Sequence, residues 1–412
     1  MRAPRGNRVP APLTSLAPES AIKTRKNPVA APSPAPDVVC LSHLRWDFVF
    51  QRPQHLLTRF ARDSRVFYVE EPEFSAGIAP TLSVSLRENG VHVVVPRLPE
   101  GLDADETTSL QKDLLDELLR RYAIRQYVLW YYTPMALGFS RHLQPLTIVY
   151  DCMDELSAFA GAPKALRERE SELLARADLV LTGGESLYEA KRNMHPNVHA
   201  FPSSVDVKHF AKARETSEEP ADQASIPGPR LGFFGVIDER MDLELVGGVA
   251  AARSDWQLVF LGPTCKIDPA IFPALPNVHR LGRKAYDDLP AYVAGWDVAL
   301  LPFARNESTK FISPTKTPEY LAAGKPVVST SIRDVVRPYG LQGLARIADT
   351  VPDFVAAVEA ALREDPADRI ARADAFLSRL SWERTWSGIR RLLLESIDAR
   401  GEEAAGSDAL AG

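Results

Sequence analysis

The sequence predicts an α/β protein made of two doubly wound domains that face each other across a cleft. The chain has 412 residues, which is too long for one ordinary core and suits two domains. Short apolar runs alternate with helical patterns, and this alternation is typical of parallel sheets covered by helices on both faces. A polar stretch with Pro and Gly at 211–229 interrupts the alternation and predicts a linker between two such series.

Each series supplies its own set of predicted strands, rich in β-branched and aromatic residues and therefore suited to burial on both faces. The first set is "DVVCLSH", "RVFYVEEP", "VHVVVPRLP", "QYVLWYYTP", "TIVYDCMDE", "ADLVLTGGES" and "NVHAFPSSVD". The second set is "RLGFFGVID", "WQLVFLGP", "NVHRLG", "WDVALLPF", "KPVVST" and "LARIAD". Helical patterns such as "SLQKDLLDELLRRYAI" and "ALRERESELLARA" lie between strands, and "SWERTWSGIRRLLLESIDA" predicts a last amphipathic helix.

These patterns divide the chain into segments. We expect an N-terminal domain over 37–210, a C-terminal domain over 230–380, and a helix over 381–399 that packs back on the N-terminal domain. Residues 1–36 are rich in Pro and Ala and lack aromatic residues, so they predict a disordered arm. A second disordered tail is expected over 400–412.

Composition excludes several classes of protein. The net charge of −5 argues against a nucleic-acid binder. The three cysteines are scattered and form no CxxC pair, which favours a reduced, cytoplasmic setting. No apolar run approaches the roughly 18 residues of a spanning helix, and the N-terminus lacks the apolar region of a secretory signal. Contact of the mildly basic arm with an anionic membrane surface is one interpretation, and a solvated tail is the interpretation we favour.

Ligands of doubly wound sheets bind beyond the carboxyl ends of the strands, so the residues at those ends are candidates for a site. Gly235 ends one predicted strand, and a helix start follows near Arg240. Gly262 ends the next strand, and Lys266 lies in the loop after it. A glycine turn before a helix start suits a bound anion, while a plain strand–helix turn is the alternative.

The stretch "KFISPTKTPEYLAAGKPVVST" places further polar residues at the start of a predicted helix. The helix is expected to begin either with Ser313 as its cap or with Thr317 as its cap, because a proline follows each. Lys310 and Lys316 lie near this start and suit the phosphates of a diphosphate. Glu319 suits a ribose diol. Its alternative is a first-turn glutamate that favours the helix dipole, and the residues alone leave both interpretations open.

Several longer segments carry a resemblance to a known family. "NVHRLGRKAYDDLPAYVAGWDVALLPF" and "SPTKTPEYLAAGKPVVST" resemble the donor-binding domain of family-4 glycosyltransferases, which have the GT-B fold of two Rossmann-like domains. "SHLRWDFVFQRPQHLLTRFA", "VYDCMDELSAF" and "ADLVLTGGESLYEAKR" look like the bacterial subgroup for cell-wall and exopolysaccharide assembly, which includes teichuronic-acid-type proteins. The resemblance runs from about Asp37 to about Ala399. It implies a nucleotide-sugar donor on the C-terminal domain, an acceptor on the N-terminal domain, retention of configuration, and no metal or other cofactor.

The resemblance also implies roles for single residues. Glu319 falls on the ribose-binding glutamate of the family, Lys316 on a phosphate-contacting position, and Arg240 close to the basic residue after the glycine turn. The base is expected at Leu281 and Gly282, largely through the backbone. The remaining expected donor-binding residues are Gly235, Lys266, Lys310, Ser313 and Thr315.

The sequence departs from the family pattern in two places. Phe311 stands where the family has the first glutamate of its pair, eight residues before Glu319. Val236 stands where an arginine often follows the glycine turn, and Lys266 or Lys310 is expected to supply that charge instead.

The N-terminal half supplies the candidate acceptor residues. His43, Trp46, Asp47 and Arg52 follow the first strand, and the alternative for them is a solvent-facing loop. Asp151 and Asp154 follow the fifth strand. They are not expected to be a metal pair, since their spacing is not DxD and no other hard ligands accompany them. Hydrogen bonds to sugar hydroxyls and helix capping are the two interpretations of these carboxylates.

Together these observations predict a retaining glycosyltransferase that uses a nucleotide-diphosphate-sugar, taken to be a UDP-sugar, and a saccharide or lipid-linked acceptor. The residues expected to be catalytic are Arg240, Lys316 and Asp154. The alternatives are a nucleotide-sugar epimerase of the same fold, which needs no acceptor, and a catalytically silent scaffold of a polysaccharide-assembly complex. The expected location is the cytoplasm, with peripheral contact at the inner face of the cell membrane.

Overall fold

The computed structural model describes residues 35–159, 161–216 and 218–411, with side chains described as far as residue 402. Its two sheets belong to two domains, one before and one after the segment around 211–229. Nearly all of the predicted arm over 1–36 lies outside the described residues.

Nine strands form the first sheet within the described residues. They are β1 (Asp37–Leu41), β2 (Val66–Val69), β3 (Glu73–Ser75), β4 (Thr81–Leu86), β5 (Val91–Pro99), β6 (Tyr127–Tyr131), β7 (Thr147–Cys152), β8 (Leu179–Thr182) and β9 (Val198–Ala200). Their order is β3-β5-β2-β1-β6-β7-β8-β9, and β4 pairs with β5. All seven predicted strands are present and pair in parallel. The short exposed β3 and the antiparallel β4 were not predicted.

Helices cover this sheet and lead into the linker. They are α1 (Arg52–Phe60), α2 (Ala104–Arg121), α3 (Leu137–Ser140), α4 (Leu166–Arg176), α5 (Glu185–Lys191), α6 (Val207–Ala211) and α7 (Ala221–Ala224). The start of α1 is specified locally, because Gln51 and Gln54 form a capping box and Pro53 stands in its first turn.

The second sheet is parallel throughout its six described strands. They are β10 (Arg230–Phe234), β11 (Gln257–Leu261), β12 (Val278–Gly282), β13 (Val298–Leu301), β14 (Val327–Ser329) and β15 (Ala345–Ile347), in the order β12-β11-β10-β13-β14-β15. The helices are α8 (Leu243–Ala252), α9 (Leu289–Ala294), α10 (Lys316–Ala322), α11 (Arg333–Val335), α12 (Val351–Leu362), α13 (Pro366–Leu377) and α14 (Trp382–Ala411).

Helix α10 begins at neither of the expected places. Thr315 is its N-cap residue and Lys316 its first residue, so capping by Ser313 and capping by Thr317 are both wrong. Pro318 falls at the third helical position, where the backbone N–H is one of those that have no intrahelical partner. The proline is therefore compatible with this start, and Lys316 and Glu319 stand one helical turn apart at the beginning of α10.

Helix α14 returns from the second domain to the first. Trp382, Ile389 and Leu393 pack in one apolar cluster with residues of α1 such as Leu56 and Phe60. The helix continues to Ala411 and thus through most of the segment that the sequence analysis treats as a tail. None of the described helices combines the length and hydropathy needed to cross a bilayer.

Polar contacts hold the two domains together across the cleft. The Asp334 carboxylate, on the second domain, accepts hydrogen bonds from the Ser186 backbone N–H at the start of α5, at 3.1 and 3.4 Å. Glu189 of α5 forms ion pairs with Arg333 and Arg337. The result is a narrow cleft whose walls belong to both domains.

Candidate active site

A cavity of about 830 Å³ lies in the cleft, between the carboxyl edges of the two sheets. The first domain contributes the loop after β1, the tip of the β4–β5 hairpin and the residues after β7. The second domain contributes the turns after β10, β11 and β12 and the start of α10. The candidate residues that line this cavity are Trp46, Asp47, Asp154, Gly235, Arg240, Ser313, Thr315, Lys316 and Glu319.

Lys316 reaches into the cavity across the glycine turn. Gly235 has a φ of +137°, and a Cβ atom at that position would lie 2.1 Å from Lys316 Cε. Only glycine leaves room for this lysine. The side chain is half-buried, and its Nζ lies within 4.0 Å of no carboxylate in the described part of the chain. Burial lowers the Lys316 pKa, while the neighbouring Glu319 charge acts in the opposite direction.

Glu319 is another ionisable group of the cavity lining without a partner among the described residues. Its residue is 8% exposed, and no described side chain forms a hydrogen bond or ion pair with its carboxylate. Burial raises the Glu319 pKa above its usual range, and the charge of Lys316 opposes that rise. Burying a carboxylate without hydrogen-bond donors is costly. The site is therefore suited to a ligand that brings donors, such as vicinal hydroxyl groups.

Arg240 differs from Lys316 because it already has a partner. Its Nε donates to both Asp238 carboxylate oxygens at 2.9 and 3.1 Å, and its Nη2 donates to Oδ2 at 2.7 Å. Its guanidinium also lies over the Phe159 ring of the first domain, 5.4 Å from the centroid. Asp238 was missed by the sequence analysis, although its place two residues before Arg240 is a usable signal.

Asp154 brings a carboxylate of the first domain to the same end of the cavity. Burial raises the Asp154 pKa, Arg240 and Lys316 act to lower it, and Asp238 acts to raise it. The four side chains form one electrostatic group of two cations and two carboxylates, which we call the cleft cluster. The cleft cluster thus joins residues of both domains.

Four candidate donor-binding residues do not line the cavity: Lys266, Leu281, Gly282 and Lys310. Lys310 is exposed and lies 3.7 Å from Glu307. Lys266 Nζ lies over the Phe159 ring at 5.3 Å. The strand end at Leu281 and Gly282 is followed directly by residues 283–286, which do line the cavity.

Phe311 occupies an apolar position between the domains. Its partly buried side chain packs against the apolar cluster of the first domain that includes Tyr150 and Leu187. The position that the resemblance assigns to a glutamate thus supplies an interdomain contact. Asp154 and Asp238 supply the carboxylate charges that act to raise the pKa of both Arg240 and Lys316 against the lowering effect of burial.

Arg52 and Asp151 form a buried ion pair outside the cavity lining. Their side chains are 1% and 0% exposed, and Arg52 Nη2 lies 2.9 Å from Asp151 Oδ1. Arg52 Nη1 also donates to the Phe201 carbonyl at 2.6 Å. These contacts join the start of α1 to the ends of β7 and β9. The structure therefore gives the pair a fold-stabilising position and not the acceptor contact expected from the sequence.

The other acceptor candidates divide between the cavity and its surroundings. Trp46 lines the cavity, and its backbone N–H donates to Glu70 at 2.7 Å. Asp47 is 65% exposed at the mouth, where it pairs with Arg87. His43 does not line the cavity, and burial lowers its pKa to about 4, so the imidazole is neutral at physiological pH.

Several lining residues were not predicted from the sequence. Phe48 and Phe50 present aromatic rings from the loop after β1, and the β4–β5 hairpin contributes residues 87–89. Tyr286 lines the cavity from the turn after β12. The aromatic residues stand among the quoted motifs and were detectable, whereas the hairpin was not, since β4 itself was not predicted. No group of three or more His, Cys, Asp or Glu side chains suited to a metal ion occurs among the residues that the structure describes.

Sequence comparisons relate both halves of the chain to glycosyltransferases. Residues 228–364 match the family model described as glycosyl transferases group 1. Over 272 residues the chain is 26% identical to the putative teichuronic acid biosynthesis glycosyltransferase TuaH of Bacillus subtilis (strain 168). That match covers 61% of this chain and 68% of TuaH.

Structural comparisons cover nearly the whole chain. Sucrose-phosphate synthase from Thermosynechococcus elongatus superposes with a TM-score of 0.69 at 14% identity, over 89% of this chain and 100% of that one. Anabaena HepE in complex with UDP and glucose superposes with a TM-score of 0.64 at 13% identity, over 87% of this chain and 99% of that one. At these identities the likeness concerns the fold, and it confirms the predicted GT-B architecture.

Proposed function

We propose that this protein is a retaining glycosyltransferase of bacterial surface polysaccharide synthesis. It moves a sugar from a nucleotide-diphosphate-sugar, which we take to be a UDP-sugar, to a saccharide or lipid-linked saccharide. The observation that carries the proposal is the pair of unpaired, inward-facing charges, Lys316 and Glu319, in a cavity between the two GT-B domains. The match of residues 228–364 to group 1 glycosyl transferases supports the same conclusion.

The donor is assigned to the second domain. Lys316 and Glu319 project from the same turn of α10, because residues three apart on a helix lie on one face. The lysine complements phosphate oxygens, and the glutamate accepts hydrogen bonds from the ribose diol. A cavity of about 830 Å³ is of the size that ligands of this class occupy. The presence of UDP and glucose in the HepE structure supports this choice of ligand.

The acceptor is assigned to the first-domain wall. Phe48 and Phe50 offer apolar ring faces, and residues 87–89 and Asp47 offer polar groups around them. Flat apolar surfaces beside hydrogen-bonding groups suit sugar rings, which carry both C–H faces and hydroxyl edges. Asp154 lines the same cavity, and we assign it to a hydroxyl group of either substrate.

Transfer requires stabilisation of the charge that develops on the leaving diphosphate. As the bond between the anomeric carbon and the phosphate oxygen breaks, Lys316 and Arg240 face the oxygen that becomes negative. The acceptor hydroxyl forms the new bond on the same face of the sugar, and its proton passes to the departing phosphate. The protein's own cations supply the charge stabilisation in this scheme, so we propose that transfer requires no metal.

The cellular setting belongs to the same proposal. The name of TuaH refers to teichuronic acid biosynthesis, which supports a role in cell-wall polysaccharide assembly. A lipid-linked acceptor would place the enzyme in the cytoplasm with peripheral contact at the inner face of the membrane.

The first experiment measures thermal stabilisation by UDP, GDP, ADP and dTDP. We expect one nucleotide to stabilise the wild-type protein, by about 2.7 kcal/mol at about 100 times its dissociation constant. In Glu319→Ala this stabilisation should largely disappear. Glu307→Ala is the matched control, because Glu307 is an exposed glutamate of the preceding loop and does not line the cavity. Failure of all four nucleotides to stabilise the wild-type protein would contradict the donor site.

A second assay separates the proposal from its rivals. Incubation of a sugar donor with and without a saccharide acceptor should give glycosylated product only when the acceptor is present. An altered donor sugar formed without acceptor would identify an epimerase. Nucleotide binding without transfer to any acceptor would identify a scaffold.

A further inference from the structure

The ring of Tyr286 is held between two other rings at the edge of the cavity. The Phe50 ring stacks on one side with centroids 4.6 Å apart, and the His209 ring stacks on the other at 4.2 Å. Phe50 belongs to the loop after β1, and His209 belongs to α6 at the linker. His209 Nε2 also lies 3.0 Å from the Tyr286 carbonyl oxygen. First domain, linker and second domain thus meet at one side chain whose position is fixed on both faces.

The Tyr286 ring is held by stacking contacts, but the Tyr286 hydroxyl lacks a hydrogen-bond partner in the described part of the chain. The residue lines the cavity, but its hydroxyl oxygen is buried and has no hydrogen-bond partner among the described residues. Tyr292, six residues later in the same segment, donates its hydroxyl to Asp222 at 2.7 Å. Buried polar atoms without partners are rare in native proteins and need an explanation. A partner that changes position when a ligand binds would be such an explanation.

Glu319 is the group that can become this partner. After burial, the charge of Glu319 has the largest effect on the Tyr286 hydroxyl, and both effects raise the phenol pKa. The phenol therefore keeps its proton and is a hydrogen-bond donor. The Glu319 carboxylate is acceptor-only when ionised and has more acceptor positions than one diol can use. The donor without an acceptor and the acceptor without a donor lie beside the same cavity.

We propose that Tyr286 is a positioning residue for the nucleotide: when a ribose diol engages Glu319, the Tyr286 hydroxyl donates to the carboxylate oxygen facing it. This inference rests on the proposed donor site. Tyr286 holds the carboxylate in the orientation that the diol requires, and the Phe50 and His209 rings hold Tyr286. The ribose end of the cavity is thereby linked to the contact between the two domains.

Tyr286→Phe tests the proposal, because it removes the hydroxyl and keeps the stacked ring. The probe is the nucleoside diphosphate that stabilises the wild-type protein in the panel, titrated by calorimetry. We expect its dissociation constant to rise about tenfold, as for loss of a hydrogen bond to a charged group. The ligand-free variant should unfold at the wild-type temperature or above it, since it loses an unsatisfied polar atom.

Tyr292→Phe is the matched control on the same segment. It removes a hydroxyl that is already bonded to Asp222, so its unfolding temperature should fall while its nucleotide affinity stays at the wild-type value. An unchanged dissociation constant in Tyr286→Phe would overturn the proposal.

A double-mutant cycle with Glu319→Ala, which removes the acceptor oxygens, decides whether Tyr286 acts through Glu319. Coupled residues give non-additive effects, so adding Tyr286→Phe to Glu319→Ala should weaken binding less than about twofold. A second tenfold loss would mean that Tyr286 acts independently of Glu319, which contradicts the positioning role. Failure of every nucleotide to bind the wild-type protein would instead overturn the donor site itself. Binding that depends on Glu319 but not on Tyr286 would overturn this inference alone.

Discussion

Each domain contains an inward-facing cation and carboxylate, and the two pairs differ in whether the two groups bond to each other. In the first domain Arg52 and Asp151 bond to each other, at 2.9–3.1 Å. In the second domain Lys316 and Glu319 share a cavity without forming an ion pair. Buried charges are normally paired, so the first pair is explained by the fold and the second is not. The absence of a partner, more than burial or charge, is therefore the feature that separates the proposed donor-binding residues from a structural ion pair.

The difference has a local cause. Arg52 stands at the start of α1 and bonds to Asp151, and its Nη1 also donates to the Phe201 carbonyl. Lys316 is directed across the Gly235 turn, because the missing Cβ of that glycine leaves a channel for its side chain. The same chemical types thus form a structural ion pair in one domain and, in our proposal, a ligand site in the other.

Among the substitutions considered, removal of the Asp151 carboxylate should have the largest energetic effect. Asp151→Ala leaves a buried guanidinium uncompensated, so we expect a loss of about 3–5 kcal/mol in the free energy of unfolding, measured with urea. Nucleotide affinity of the folded protein should remain at the wild-type value. Asp47→Ala is the control, since its exposed pair with Arg87 is worth about 1 kcal/mol or less. If Asp151→Ala were as stable as the wild-type protein but lost transfer activity, Asp151 would belong to the active site and not to the fold.

Removal of the Lys316 side chain should have a smaller energetic effect. It should raise the activation free energy of transfer and leave the free energy of unfolding nearly unchanged. We expect Lys316→Ala to lose about 10²–10³ in kcat, because one group that stabilises the leaving charge is removed, while circular dichroism shows a folded protein. Lys310→Ala removes an exposed lysine of the same segment that does not line the cavity, and it should change kcat less than about twofold. Near-normal turnover in Lys316→Ala would remove this lysine from the reaction.

The pH dependence of nucleotide binding should report the titration of Glu319 and Lys316, the two groups that form no ion pair within the described structure. The Glu319 pKa is raised and the Lys316 pKa is lowered, in both cases chiefly by burial. Affinity should therefore increase as pH rises through the Glu319 pKa and the carboxylate forms, then decrease as Lys316 loses its proton. Each limb is limited to about tenfold per pH unit for a single proton.

Glu319→Gln isolates the rising limb, because the amide does not titrate. In this variant the increase in affinity above the ordinary glutamate range should be absent, and the decrease caused by Lys316 should remain. A rising limb of unchanged position in the variant would assign that titration to the nucleotide's phosphates instead.

Much of the architecture could be predicted because its signals are local. Strand burial on both faces produces apolar runs that are visible without any partner, and all thirteen predicted strands exist. The short strands β3 and β4 lack this signal, since β3 is exposed and β4 is largely half-buried. The start of α10 was misplaced for a related reason: two proline-containing caps were compatible with the local sequence, and Thr315 starts the helix without a side-chain cap.

The sequence by itself determined the two-domain α/β plan and the placing of Lys316 and Glu319 one turn apart at the start of a helix. Both depend on the spacing of residues along the chain, which can be read directly from the amino-acid sequence. Only the tertiary structure decided that Arg52 has Asp151 as its partner, that Arg240 is held by Asp238, and that Tyr286 stacks on Phe50. Arg52 and Tyr286 meet residues far along the chain, and even the close Arg240–Asp238 pair depends on how the turn folds. Whether a buried charge is satisfied is settled by the packing of the whole molecule.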